Sequence, residues 1–276
     1  MTGSENNPAH FLEVAVAAAR EAGGIVAAAI DHPKNISYKG EVDLVTETDK
    51  KSEAAILARL HGAFPAHEVI AEEGGASGPG GSAEYQWHVD PLDGTTNFAH
   101  GYPVFAVSLG LLERGEPLVA AIYNPVTAEM FTAIRGRGAY RNGSAIHVSA
   151  VDTLSRSLLA TGFPSHKRVQ NPNIQYYWEF TLRSHGVRRA GAAALDLCSL
   201  ACGQFDGFWE FGLKSWDTAA GILLVREAGG KVTNFSGGNY RPGDFECMAS
   251  NGRIHNEMRE LALSVRERAG AQKAVS

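Results

Sequence analysis

Residues 87–98, WHVDPLDGTTNF, constrain this chain more tightly than any other stretch. The run Trp87, His88, Val89 ends at Asp90, and Asp93 follows after Pro91 and Leu92. Proline fixes its own φ and keeps the residue before it out of helical conformation, so the reading is a strand that stops at Asp90. Gly94 then permits a sharp turn. Thr95, Thr96 and Asn97 are residue types whose side-chain oxygens satisfy the free N–H groups of a helix start. Strand, turn and helix start bring two carboxylates and several N–H donors to one point. Two close carboxylates repel unless a cation lies between them. Hard oxygen donors suit Mg²⁺, Mn²⁺ or Ca²⁺, and a helix N-terminus beside them suits an anion, phosphate above all. Taken alone, DPLDG fits an ordinary solvated turn equally well. The metal reading therefore needs further carboxylates.

The chain supplies them. A helix beginning at Thr46 or Thr48 and running to His61 places Asp49 in a first turn, where the helix dipole favours an acid. Its apolar residues Ala54, Leu57 and Leu60 are expected to face inward. A short buried strand, 69–71, delivers Glu72 and Glu73 to its carboxyl end. Neighbouring strand side chains point to opposite faces, so only one of the two can face a shared site. Asp217 stands at the start of another helix, with Ser215 or Asp217 as the cap and Gly229 at the stop.

Around these segments the pattern is mixed α/β. An Ala-rich amphipathic helix over 11–30 carries Leu12, Ala15, Ala19, Ala22 and Val26 on one stripe. Residues 74–82, GGASGPGGS, read as a flexible surface loop, and no Gly-Lys-Ser/Thr ends it, which excludes a P-loop. From 104 to 148 short strands and tight turns predict an antiparallel meander, with Asn142-Gly143 as a hairpin turn. Beyond 150, strands (158–161, 187–189, 205–211, 231–234, 246–250) alternate with helices (174–185, 193–202, one starting at 215, and 254–266). The organisation expected is a single catalytic domain, with an N-terminal lobe of about 8–150, a C-terminal lobe of about 151–268 and a frayed tail at 269–276.

Composition narrows the classes. A chain of 276 residues, 44% hydrophobic and 20% charged, can bury a sizeable core. Its net charge of −5 argues against nucleic acid or a membrane surface as partner. No apolar run is long enough to span a bilayer, and MTGSENNPAH lacks the pattern of a secretory signal. Cys198, Cys202 and Cys247 make no bridge framework and no CxxC motif, which suits a reducing cytoplasm. Cys198 and Cys202, one helical turn apart, read as core residues.

Taken together, DLVTETD, AEEGG, DPLDGTTNF and WDTAAGILLVREAGG resemble the inositol monophosphatase family of Mg²⁺-dependent, lithium-sensitive phosphatases, in the family's order and from about residue 11 to 263. The segment RRAGAAALDLCSLACGQFDGFWEFGLKSWD is most similar to its bacterial inositol-1-monophosphatase branch. The resemblance implies a layered αβαβα sandwich, a homodimer and two or three Mg²⁺ ions per active site. It implies that Glu72, Asp90, Asp93, Asp217 and the backbone carbonyl of Leu92 are metal ligands. It implies that Glu72, with Asp49 and Thr95, activates and orients the attacking water, and that Gly94 and Thr95 offer N–H groups to the phosphate. Gly191, Ala192, Ala193 and Glu210, with Asp217, then line the alcohol side of the substrate. Ala71 departs from the glycine that relatives commonly carry before the Glu pair. His88 and His100 are read as structural. The substrate expected is inositol 1-phosphate, with histidinol phosphate, fructose 1,6-bisphosphate or adenosine 3′,5′-bisphosphate as alternatives. A reading from another class is a non-catalytic metal- and phosphate-binding regulator.

Overall fold

The structure, a computed structural model, describes residues 7–30, 36–38, 44–79, 83–164 and 171–275. The expected turn at 39–43 and the part of the Gly-rich loop at 80–82 lie outside the described residues. Helix α1 (Pro8–Ala29) starts with proline in its first turn, and the Asn7 side chain accepts from Ala9 N–H. Strands β1 (Ile36–Tyr38) and β2 (Leu44–Thr46) form a small antiparallel pair. They lead into α2 (Glu47–Ala63), β3 (Glu68–Ala71), β4 (Gly75–Ser77), β5 (Tyr85–Asp93) and the short α3 (Thr95–Ala99).

The meander follows as β6 (Ala106–Glu113), β7 (Glu116–Asn124), β8 (Glu129–Ile134), β9 (Ala139–Arg141) and β10 (Ser144–Ile146). Asn142 and Gly143 between the last two both have positive φ, as the expected hairpin turn requires. The second half comprises β11 (Leu158–Thr161), α4 (Ile174–Thr181), β12 (Gly186–Arg188), α5 (Ala193–Ala201), β13 (Gly207–Phe211), α6 (Ser215–Glu227), β14 (Lys231–Thr233), β15 (Glu246–Ser250) and α7 (His255–Val275).

Five layers result. An eight-stranded sheet runs β10-β9-β8-β7-β6-β5-β3-β4, and a five-stranded sheet runs β12-β11-β13-β15-β14. The Ala-rich face of α1 and the apolar residues Ile56 and Leu60 of α2 cover one side of the large sheet, packing on Val69, Trp87, Val89 and Leu109. Helices α5 and α6 lie between the two sheets, in a core that includes Ala106, Ile122, Leu197, Leu223, Phe208 and Ala249. The outer side of the small sheet is covered by α4 and α7, through Phe180, Trp209, Met258 and Ala262. This is the αβαβα order expected. It exists because both faces of each sheet are apolar and need a covering layer. Gly110 in β6 lets α6 come close, since an added Cβ would stand 2.7 Å from Ala219 Cβ and Ala220 N.

Several boundaries differ from the sequence reading. Residues 75–77 of the Gly-rich stretch pair with β3 as an edge strand. Helix α4 ends at Thr181, and α7 continues to Val275 through the expected tail. The inward residues of α2 are Asp49, Ser52, Glu53, Ile56 and Leu60, whereas Ala54 is exposed and Leu57 only partly buried.

Candidate active site

The strand carrying the two aspartates does not stop at Asp90. β5 pairs with β6 through Asp90↔Ser108 and again at Asp93↔Ala106, so three steps on one strand oppose two on the other. Pro91 has no N–H to give the ladder, and a bulge absorbs the extra residue. The bulge decides the chemistry. Asp90 and Asp93 are three residues apart and would alternate to opposite faces of a regular strand. Ser108 and Ala106 are two apart and share a face, so their cross-strand partners do too. That face is the inter-sheet one, because Ala106 belongs to the core around α5 and α6 and Ser108 Oγ reaches the Trp216 carbonyl at 3.5 Å.

Asp217 arrives from α6 on the same side. Its cap is not Ser215 or Asp217 but Lys214, and Asp217 is the third residue of the helix, accepting Lys214 N–H at 2.7 Å. Glu72 arrives from β3. Ala71 pairs in register with Val89 and both face the α1–α2 layer, so the next residue outward, Glu72, turns to the inter-sheet side and lines the cavity there. Glu73 is not part of that lining, and its N–H is held by Glu53 Oε2 at 2.9 Å. Only one of the Glu pair faces the site, as alternation requires.

Gly94 shapes the corner after Asp93. Its φ of 92° is left-handed, and an added Cβ would stand 2.8 Å from the Val104 carbonyl. Gly94 itself is the N-cap of α3, without a side-chain cap, so the threonines are not caps as the sequence suggests. Thr95 instead points its hydroxyl 3.0 Å from Asp49 Oδ1 and 3.0 Å from the Leu92 carbonyl. The hydroxyl has one proton for two acceptors. Donation to Asp49 leaves the Leu92 carbonyl available to another group. Asp49 is fixed for this by a capping box: its Oδ2 accepts the Thr46 N–H at 2.9 Å and the Thr46 hydroxyl.

Beside these groups lies a cavity of about 430 Å³ between the two sheets; Asp49, Asp90 and Leu92 stand behind its lining. Its lining includes Glu72, Asp93, Gly94 and Thr95 together with Gly191, Ala192, Ala193, Asp196, Glu210 and Asp217. Glu210 does not reach solvent through strand alternation, since every residue of β13 is buried. Burial pushes its carboxyl well above the usual range, reinforced by Asp196, Asp217 and Asp93 and opposed by Arg189. Asp196 is raised by burial and by Asp93, again against Arg189.

The electrostatics identify the acids as one group. Burial raises Asp90 well above its ordinary value, and Glu72, Asp93 and Asp217 each raise it further. Burial pushes Asp93 up to about 7, opposed by the N–H groups of Ala194 and Ala193 and reinforced by Glu72. Asp217 is raised by burial and by Asp93, against the Lys214 N–H. Each aspartate commits one oxygen to a backbone N–H: Asp90 to Leu92 at 3.0 Å, Asp93 to Ala194 at 2.8 Å, Asp217 to Lys214 at 2.7 Å.

Among the described residues, no three of His, Cys, Asp and Glu already stand as a ligand group around one ion. The donor chemistry nevertheless fits a hard cation, since buried carboxylates repelling one another are what such a charge relieves. Burial lowers His88 to about 4; its Nδ1 meets Ser215 Oγ at 2.8 Å, tying β5 to the first turn of α6. His100 is exposed.

Sequence reasoning missed Asp196 and Arg189 in the cavity lining, Ser52 and Glu53 on the buried face of α2, and the role of Asn97. The Asn97 amide donates to the carbonyls of Val104 and Ala190, at 2.7 and 2.9 Å, strapping α3 to the loop before α5. The signal was present in α2, where 49, 52 and 53 share a helical face, but an apolar count overlooks polar residues turned inward.

The profile of the inositol monophosphatase family matches residues 7–270. The chain is 48% identical over 261 residues to the chloroplastic phosphatase IMPL1 of Arabidopsis thaliana, covering 92% of this chain and 70% of that one. It is 47% identical over 234 residues to the Nus factor SuhB of Pseudomonas aeruginosa, covering 82% and 86%. The solved structure of inositol monophosphatase from Anabaena matches with a TM-score of 0.84 at 41% identity, over 92% of this chain and 96% of that one. The acid-lined cavity between two sheets thus belongs to a phosphatase, from a class that works with metal ions. The chain belongs to the inositol monophosphatase family.

Proposed function

We propose that this phosphatase hydrolyses a small phosphate monoester with Mg²⁺, and that the monoester is inositol 1-phosphate. The observation that carries the substrate is the pair of buried acids, Glu210 and Asp196, in the lining of the cavity that also holds Thr95. A polyol presents several hydroxyl donors, and such acids accept them. Glu72, Asp90, Asp93, Asp217 and the Leu92 carbonyl would hold the metal. Bound Mg²⁺ supplies Lewis acidity for water activation, for charge on the phosphoryl oxygens and for the departing alkoxide.

The chain's own part is alignment. With its proton given to Asp49, the Thr95 oxygen accepts a hydrogen bond from the attacking water and points that water at phosphorus. The N–H groups of Gly94 and Thr95, at the same corner, receive the phosphate. No protein nucleophile is needed for in-line attack by water.

Phosphate release from inositol 1-phosphate, histidinol phosphate, fructose 1,6-bisphosphate and adenosine 3′,5′-bisphosphate, with Mg²⁺ and with EDTA, tests this reading. Inositol 1-phosphate is expected to have the highest kcat/KM and EDTA to abolish it; another preferred ester removes the substrate assignment. No release from any of them favours the non-catalytic reading. Glu210→Gln, which keeps shape but exchanges a carboxyl oxygen for an NH₂ group, is expected to lower kcat/KM on inositol 1-phosphate by about 3- to 10-fold, in line with a net hydrogen bond of roughly 0.5–1.5 kcal/mol. An unchanged value would take Glu210 out of the substrate wall.

The reading includes a homodimer in a reducing cytoplasm. Cys198, Cys202 and Cys247 are free thiols, and no helix among the described residues is long and apolar enough to cross a membrane. The support for a dimer is a stripe on α4, where Ile174 and Trp178 are 57% and 64% exposed, with Leu182 at 63% just beyond the helix end. Trp178→Glu is expected to convert dimer to monomer in size exclusion with light scattering. A monomeric wild-type protein would remove the dimer.

A further inference from the structure

Helix α2 does more beneath the acids than orient Asp49. Three side chains on its first two turns, at i, i+3 and i+4, each grip a different segment of the site. Asp49 holds Thr95, two residues after Asp93. Ser52, fully buried, donates its hydroxyl to the Pro91 carbonyl at 2.8 Å, in the middle of the bulge between Asp90 and Asp93. Glu53, 5% exposed, accepts the Glu73 N–H at 2.9 Å, immediately after Glu72. Its other oxygen lies under the same corner, 2.9 Å from where a Cβ on Gly74 would stand. A carboxylate and a hydroxyl buried on a helix face cost stability unless they serve the groups they bind.

We propose that Ser52 and Glu53 are positioning residues, which fix the distance between Glu72 on one strand and the Asp90–Asp93 pair on the next and so set the metal affinity of the site. β3 ends at Ala71, so the backbone that carries Glu72 is no longer held by regular ladder pairing there. The Glu72 N–H still reaches the Val89 carbonyl at 3.1 Å, and the next N–H is the one Glu53 takes. Without Glu53 the corner has one anchor fewer and the direction of Glu72 is held less tightly. Ser52 does the corresponding work for the bulge, whose Pro91 carbonyl is fixed by its hydroxyl.

The proposal rests on the metal-site reading above, and the test separates the two. Mg²⁺ affinity is measured by calorimetry and by Mg²⁺-induced thermal shift, alongside the Mg²⁺ concentration for half-maximal phosphatase activity. Glu53→Ala is expected to weaken Mg²⁺ binding by about 10- to 100-fold, the range for groups that orient metal ligands, with kcat at saturating Mg²⁺ within about threefold of wild type. Glu53→Gln, whose amide oxygen still accepts the Glu73 N–H, is expected to restore most of the affinity. Ser52→Ala is expected to weaken binding by a smaller factor. If Glu53→Ala fails to fold, Glu53→Asp carries the test, because its acceptor is withdrawn by one methylene and the same loss is expected. Wild-type affinity in a folded variant lacking the acceptor overturns the proposal while leaving the metal site intact. A wild-type protein that neither binds Mg²⁺ nor needs it overturns both.

Discussion

Replacing Asp93 by Asn is expected to lower kcat/KM by at least about 10³-fold, the equivalent of several kcal/mol of transition-state stabilisation that a bound cation supplies. The change is small in shape. The amide oxygen still accepts the Ala194 N–H that holds Asp93 Oδ2 at 2.8 Å, so the corner between β5 and α5 keeps its anchor. What is lost is one negative charge from a group of four acids, in which the three aspartates are each raised by burial and further by Glu72. Steady-state kinetics across a Mg²⁺ series checks the result. Activity within tenfold of wild type would take Asp93 out of the ligand set.

The second large effect concerns stability without metal. Asp93 moves from an unfolded value of 3.8 to about 7 when buried, so the folded protein binds its proton more tightly than the unfolded chain does. A raised acid contributes stability below the unfolded value, and that contribution is lost as pH rises from about 4 to about 7. For Asp93 alone it amounts to something on the order of 4 kcal/mol, equivalent to roughly 10 °C in Tm for a chain of this size.

Three histidines pull the opposite way. His67, His88 and His255 are each lowered to about 4 by burial, so their contribution is present above about pH 6.5 and lost as pH falls to about 4. The difference between wild type and Asp93→Asn in EDTA cancels them. The variant is expected to be the more stable of the two at pH 7.5, with the gap closing towards pH 4.5, and saturating Mg²⁺ should reverse the order at pH 7.5. A gap in Tm independent of pH would show that Asp93 is ionised in the metal-free protein.

The local signals that carried most of the architecture were strong ones. Asn142-Gly143 can hold positive φ twice in succession, and the Ala-rich stripe of α1 can cover a sheet only with one face. The acids Glu72, Asp90, Asp93 and Asp217 were legible as types and come together in the fold because each sits at the end or start of an element. The errors share one cause. Pro91 reads as a strand terminator, but tertiary pairing with β6 carries the strand on through a bulge. Ala54 and Leu57 read as the inward face of α2, but Ser52 and Glu53 face inward to serve Pro91 and Glu73. Lys214 and Gly94 have no side-chain signature as caps, since backbone geometry placed them. Local propensity yields wherever a distant segment offers a better partner.

The bulge at Pro91 and Leu92 makes the catalytic centre depend on counting rather than on composition. Substitutions along β5 can alter how tightly the aspartates are held, yet both still look into the same space. Removing a single residue between Asp90 and Asp93 would put the strand back into simple alternation by two and leave the two acids adjacent in the ladder, with a different reach toward Asp217. Adding one would set them four apart, where simple alternation again puts both on one face but farther from each other along the strand. The count of residues between the two aspartates therefore sets how far apart they stand, whereas the residues that fill those positions only tune how firmly they are held.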